Sequence, residues 1–200
     1  MLAIALHYNV SMKLVEELLE KPQFVSPAKI LDEVGLAAGM DVIDYGSGAG
    51  HWTISAAKKV RPDGRVLAIE DDINLLNLLK SKAELESIGN IDIEELSLES
   101  GESKLAKPSD LVIVSNIFHL IEDKQKFAHK ISKLVKTGGK LLFIDWVPKK
   151  TLFGPPLELR IGEEDVMRYF SDAGLHFLCT VTTGIEHFGL VFKSNGKKDE

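Results

Sequence analysis

A single cysteine, Cys179, is all the thiol chemistry this 200-residue chain holds. It cannot close an internal disulfide, and the lack of paired thiols fits a reducing compartment, so the cytoplasm is the expected location. Positive charge is also short: 24 Lys and Arg stand against 30 Asp and Glu, a formal net charge of −6. That balance opposes attraction to phosphate backbones, and Lys58-Lys59 and Lys149-Lys150 are isolated pairs rather than a basic stripe, so nucleic acid is not an expected partner. No apolar run approaches the ~18 residues of a membrane span. The apolar residues 1–6 lack a basic start and a small-residue cleavage site, so they are not expected to act as a secretory signal. No metal-ligand spacing occurs, and neither repeats nor a linker divide the chain. One domain is expected over residues 1–193, with a helical cover in 1–35 and a frayed polar tail in 194–200.

What is present is a regular alternation. Residues 11–20 place Met12, Val15, Leu18 and Leu19 on one helical face before Pro22 stops it. Ser26-Pro27 reads as a helix cap and first turn, with Ile30 and Val34 on one stripe and Gly35 as a left-handed terminator. From residue 40 onward, short apolar runs at 41–45, 66–70, 91–96, 111–115 and 141–145 alternate with helical patterns at 51–60, 73–87, 123–136 and 163–173. Parallel strands joined by helical crossovers produce that pattern, which makes the fold α/β. The stretch between the third and fourth runs is too short and mixed for a helix. Two β-rich runs, 176–182 and 187–193, flank Gly184 and suggest an antiparallel hairpin at one sheet edge. Cys179 alternates within the first of them and is expected to be buried.

Residues 42–53, Val-Ile-Asp-Tyr-Gly-Ser-Gly-Ala-Gly-His-Trp-Thr, run from a strand through a glycine-rich turn into a helix. A ligand lies against backbone only where no Cβ intervenes, and a helix N-terminus offers free N–H groups and positive dipole. The next strand ends at Glu70, where a carboxylate can accept from both hydroxyls of a ribose. Dinucleotide sites use G-x-G-x-x-G, but position 51 is His51 and the third glycine is Gly50. A nicotinamide-dependent dehydrogenase is disfavoured on that ground.

Asp44 followed by Gly46, Gly48 and Gly50 resembles the first-strand pattern of class I S-adenosylmethionine-dependent methyltransferases, most closely the small-molecule ubiquinone and menaquinone biosynthesis type. The likeness extends over residues 24–193: 111–120 is similar to the family's fourth strand and turn, 134–141 to its approach to the fifth strand with Thr137 in place of the usual proline, and 187–192 to its last strand. It implies a Rossmann-like doubly wound sheet of seven strands in order 3-2-1-4-5-7-6, only the seventh antiparallel. It implies S-adenosylmethionine as cofactor and a small-molecule acceptor. Asp44, Gly46, Ser47, Gly48 and Gly50 would take the methionine part, with Ser47 replacing a frequent cysteine. Glu70 would take the ribose, Asp71, Ser97 and Leu98 would flank the adenine, and Asn116 would border cofactor and acceptor. Ser97 stands where the family often has an aspartate, which shifts adenine binding towards packing and backbone contacts.

Methyl transfer from a sulfonium is mainly a matter of positioning, worth ~7 to 11 kcal/mol by effective molarity. An acidic acceptor would also need a base near the carboxyl ends of strands four and five. His119 and Asp145 are the catalytic candidates there, and His7, Tyr8, His119 and Trp146 the candidates for touching the acceptor. His51 is expected to line the cofactor's entrance, Trp52 to pack, and His187 to sit at a strand edge. The competing functions are a catalytically silent S-adenosylmethionine-binding module and a protein or RNA methyltransferase. The last would call for a basic face or added domain.

Overall fold

The computed structural model describes residues 26–151 and 153–195. The expected helix at 11–20, together with His7 and Tyr8, lies outside them. The first described helix, α1 (Pro27–Glu33), opens on a proline whose missing N–H costs nothing in a first turn. Ser26 contributes its backbone carbonyl to Lys29 and Ile30 and makes no side-chain cap bond. Gly35, with φ +78°, turns the chain out of α1.

Strand β1 (Val42–Tyr45), helix α2 (His51–Val60), strand β2 (Val66–Glu70), helix α3 (Ile73–Leu85) and strand β3 (Ile91–Glu95) form the first half of the molecule. Strand β4 (Ser109–Ser115), helix α4 (Lys124–Leu134), strand β5 (Val135–Trp146), helix α5 (Glu163–Asp172) and strands β6 (Leu175–Val181) and β7 (His187–Ser194) form the second. Asp72 caps α3 by accepting from the Asn74 N–H at 2.8 Å, and Asp123 caps α4 by accepting from Lys126 at 3.0 Å. No regular element forms between β3 and β4.

The strands make one seven-stranded sheet in the order β3-β2-β1-β4-β5-β7-β6. β7 runs antiparallel to both neighbours, and the other pairings are parallel. Every residue of β1 and β2 is buried, as expected of parallel strands covered on both faces. One face packs Ile30, Ala56, Val60, Leu76 and Leu79 from α1, α2 and α3. The other packs Phe127, Ile131, Val166 and Phe170 from α4 and α5, with Phe118 and Phe143 among them. Because the chain winds outward in both directions from β1 and β4, their carboxyl ends diverge into a crevice, the place where such sheets bind ligands.

Two local expectations are corrected. The helical stretch expected to run to 136 ends at Leu134, and β5 begins at once, with a shift in pairing between Ser109 and Leu111. Gly138, at φ +80°, takes up that irregularity. Cys179 is exposed, not buried. A register shift between Phe177 and Cys179 breaks the alternation of β6, and as an edge strand β6 leaves its middle residues open. Among the described residues no helix is long and apolar enough to cross a membrane.

Candidate functional site

The turn after β1 is held from beneath. The N–H groups of Gly46 and Ser47 both donate to the Ile69 carbonyl of β2, at 2.8 and 2.9 Å. Gly46, Gly48 and Gly50 all have positive φ (81°, 52° and 86°), and Gly50 caps α2 without a side chain. A Cβ at Gly46 would come within 2.6 Å of Ile117, and one at Gly50 within 2.4 Å of Leu79, so packing dictates both. At Gly48 a Cβ would meet nothing within 4 Å. That position borders open space, where a ligand can lie.

Three polar side chains face this turn. Asp44 is 1% exposed, and its Oδ2 accepts from the Thr53 hydroxyl at 2.5 Å, while its buried Oδ1 has no partner. Burial raises its pKa to about 7, against the opposing bonds from Thr53. The buried Ser47 Oγ is likewise without a partner. Glu70, at the end of β2, accepts from the N–H of Gly48 at 2.7 Å through Oε2 and from Asp71 and Asp72 through Oε1 at 3.0 and 3.3 Å. Burial raises its pKa too. Beside it, the Leu96 N–H donates to the Glu70 carbonyl, leading into the turn with Ser97 and Leu98. The Ser97 hydroxyl lies 2.9 Å from that of Ser100, and the Leu98 side chain is buried in the core.

Across the switch point, a cavity of about 270 Å³ is lined by residues of several elements, among them Ile30, His51, Trp52, Asn116, Thr183 and His187. Trp52 donates from Nε1 to the Ser115 Oγ at 3.0 Å, tying α2 to the end of β4. Asn116 holds φ +59°, uncommon outside glycine, with its N–H on the Ile144 carbonyl at 2.9 Å. His187 is buried, and burial holds its pKa below the usual histidine value.

His119 and Asp145, expected at this end of the sheet, meet each other. His119 Nδ1 lies 2.8 Å from Asp145 Oδ1, the His119 N–H donates to Oδ2, and the Trp146 N–H donates to Oδ1. Both side chains are buried, and neither is among the residues that line the cavity. Trp146 packs its ring 4.1 Å from that of His187, and the Arg160 guanidinium covers Trp146 at 5.3 Å. Arg160 also donates to the carbonyls of Val147, Lys149, Phe153 and Pro155 and to the Thr151 hydroxyl, gathering the loop after β5. Sequence reasoning missed Trp52 and His187 as cavity residues. Only the antiparallel register that sets Trp146 opposite His187 brings the latter inward.

The site is thus an acidic, backbone-lined seat with two buried, unpartnered oxygens, joined to a partly aromatic cavity. It fits a nucleoside carrying a cationic tail: Glu70 suits a diol, and the Asp44 carboxylate suits an ammonium. Among the described residues no cluster of His, Cys, Asp and Glu could hold a metal ion.

A family model described as a methyltransferase domain matches residues 36–174. The chain is 30% identical over 149 residues to the ubiquinone biosynthesis O-methyltransferase of Acinetobacter baylyi, covering 72% of this chain and 59% of that protein. It is 25% identical over 123 residues to the demethylmenaquinone methyltransferase of Lactococcus lactis, covering 59% and 46%. The chain spans about half the length of the curated relatives it matches. Among solved structures, a SAM dependent methyltransferase from Aquifex aeolicus superposes with a TM-score of 0.75 at 28% identity, over 88% of this chain and 95% of that one. The [4+2]-cyclase SpnF shares the fold alone, at 14% identity and a TM-score of 0.69, over 84% and 81%.

Proposed function

As the chain belongs to the methyltransferase-domain family, we propose that it is an enzyme that binds S-adenosylmethionine in the seat between β1 and β2 and methylates a small molecule held in the adjoining cavity. The observation that carries this reading is the pair of buried oxygens, Asp44 Oδ1 and Ser47 Oγ, left without partners beside the open backbone of Gly48. A buried unpaired polar atom costs about 1 to 3 kcal/mol, and a ligand that supplies donors recovers it.

When bound, S-adenosylmethionine supplies a sulfonium methyl group open to in-line displacement by an acceptor nucleophile. Everything else falls to the chain. Glu70 would hold the two ribose hydroxyls. Asp44 holds the ammonium of the methionine part, and a cation beside its carboxylate favours the ionised form. Asn116, on the cavity wall, meets both cofactor and acceptor, and its left-handed backbone is held in place by the Ile144 carbonyl. His187 lies on the cavity wall, where burial lowers its pKa and so favours the neutral form that a base needs. His119 and Asp145 act as a positioning pair, fixing the turn after β4 against the end of β5.

The test is direct. Calorimetry with S-adenosylhomocysteine should give one binding site per chain, and incubation of S-adenosylmethionine with a metabolite extract should release S-adenosylhomocysteine. Absence of binding overturns the reading, while binding without turnover against any fraction favours a silent cofactor-binding module.

A further inference from the structure

Lys130 sits on α4, outside the residues given a role above, yet its ammonium is half-buried under the turn that follows β3. Nζ donates to the carbonyls of Leu98, Glu99 and Gly101 at 3.0, 2.7 and 3.2 Å and to the Tyr45 hydroxyl at 3.1 Å. The Tyr45 hydroxyl in turn donates to the Leu98 carbonyl at 3.0 Å. The ammonium also lies 5.6 Å from the Tyr45 ring and 6.0 Å from the Phe127 ring. Among the described residues it forms no ion pair, so backbone dipoles and aromatic faces satisfy the charge. A desolvated cation of this kind is costly unless every donor is used, and three N–H bonds meeting four oxygens use them all.

A trans peptide keeps C=O and N–H on opposite sides. Carbonyls converging on Nζ therefore fix the N–H groups of Glu99, Ser100 and Glu102 away from it. The Ser100 N–H meets the Ser97 Oγ at 3.4 Å and the Gly101 N–H the Ser97 carbonyl at 2.9 Å, which leaves those of Glu99 and Glu102 to carry the outward polarity of the turn. A second tie works from the other end: Glu99 Oε1 accepts from the N–H groups of Glu122 and Asp123, just before α4, at 3.1 and 2.9 Å. The turn is thus pinned to α4 at two points. Its side chains are spent, Ser97 on Ser100 and Leu98 on the core.

Resting on the S-adenosylmethionine reading, we propose that Lys130, assisted by Tyr45, is the positioning residue that turns the backbone of residues 97–101 into the adenine-selecting wall of the cofactor seat. Selectivity for the base then resides in backbone groups that a half-buried lysine holds in place, with Ser97 where the family often has an aspartate.

The experiment measures the affinity of the full chain for S-adenosylhomocysteine and for S-inosylhomocysteine, in which the exocyclic amine becomes a carbonyl. Wild type should bind the adenine form at least tenfold more tightly. Lys130→Met should weaken the adenine form about tenfold and bring the ratio of the two affinities close to one, with Lys130→Arg restoring part of it. Tyr45→Phe should move the ratio in the same direction by a smaller factor, and it carries the test if Lys130→Met does not fold. An unchanged ratio in the folded variants overturns the proposal, including the case where both affinities fall together, which is loss of structure without loss of selection. Failure of wild type to bind S-adenosylhomocysteine at all would instead overturn the cofactor reading.

Discussion

The backbone N–H of Gly48 donates to Oε2 of Glu70 across 2.7 Å, so the glycine turn after β1 is fastened to the last residue of β2. The same carboxylate reaches the N–H groups of Asp71 and Asp72 through its other oxygen. Glu70 therefore serves the free protein as the knot of the seat, and a ribose must compete for Oε2 with a single N–H.

Glu70→Ala should weaken S-adenosylhomocysteine binding by about 100-fold, since two bonds to a charged acceptor are worth roughly 2 to 3 kcal/mol. The Gly48, Asp71 and Asp72 N–H groups also lose their acceptor, at a stability cost of about 1 kcal/mol or more. Calorimetry and a thermal melt read both effects, and an unchanged affinity removes the ribose assignment.

Asp44 has a folded-state pKa of about 7, against about 3.9 in an unfolded chain. The folded form holds its proton more tightly, so this group's contribution to stability is complete below pH ~4 and is lost as pH rises through about 7. Asp44→Asn should accordingly match wild type in stability near pH 4. By pH 8 it should exceed it by a margin on the order of 4 kcal/mol, about 1.4 per unit, while binding of S-adenosylhomocysteine falls. For wild type, the bound ammonium favours carboxylate, so affinity should rise between pH 6 and 8 with proton release. Calorimetry in buffers of different ionisation enthalpy counts that proton, and a pH-independent affinity would contradict the role of Asp44.

Gly46 and Gly48 should fail differently. Gly46→Ala drives a Cβ into Ile117 at φ +81°, and should cost about 2 to 3 kcal/mol of stability. Gly48→Ala meets no protein atom within 4 Å and pays only the left-handed strain of about 1 to 2 kcal/mol. Its methyl group nevertheless occupies ligand space, so cofactor affinity should drop at least tenfold beyond what the melt predicts. Equal binding by Gly48→Ala and wild type would place the ligand elsewhere.

Asp145→Ala strands the His119 ring, the His119 N–H and the Trp146 N–H at once. Its expected cost is about 3 kcal/mol or more, a fall of roughly 6 to 12 °C in melting temperature. Asp145→Asn keeps acceptor capacity and should lose less. Similar melting curves for Asp145→Ala and wild type would show that the pair carries no structural weight.

Local pattern carried much of the architecture. Residues 51–60 read as a helix and form one with those bounds, because Thr53, Ala56, Ala57 and Val60 already lie on one helical face. Asp44, the glycines and Glu70 come together at one turn as expected, because their places depend on spacing along adjacent strands. Features decided across distant strands were not legible. The inward turn of His187 depends on its pairing with Trp146, the exposure of Cys179 on a bulge against β7, and the place of Trp52 on a bond to Ser115. None of these leaves a periodic trace. Lys130 is the sharpest case, since a lone lysine on an amphipathic helix reads as solvated until the turn that sits over it is seen.

Arg160 spends its guanidinium within the loop after β5 and on Trp146, touching nothing in β1, β2 or β3. The loop is consequently gathered largely on one guanidinium, with the Val147 N–H tied separately to the Glu186 carbonyl at 2.9 Å. Rebuilding it would change what covers Trp146, the ring packed on His187, while the turn after β1 keeps its own bonds.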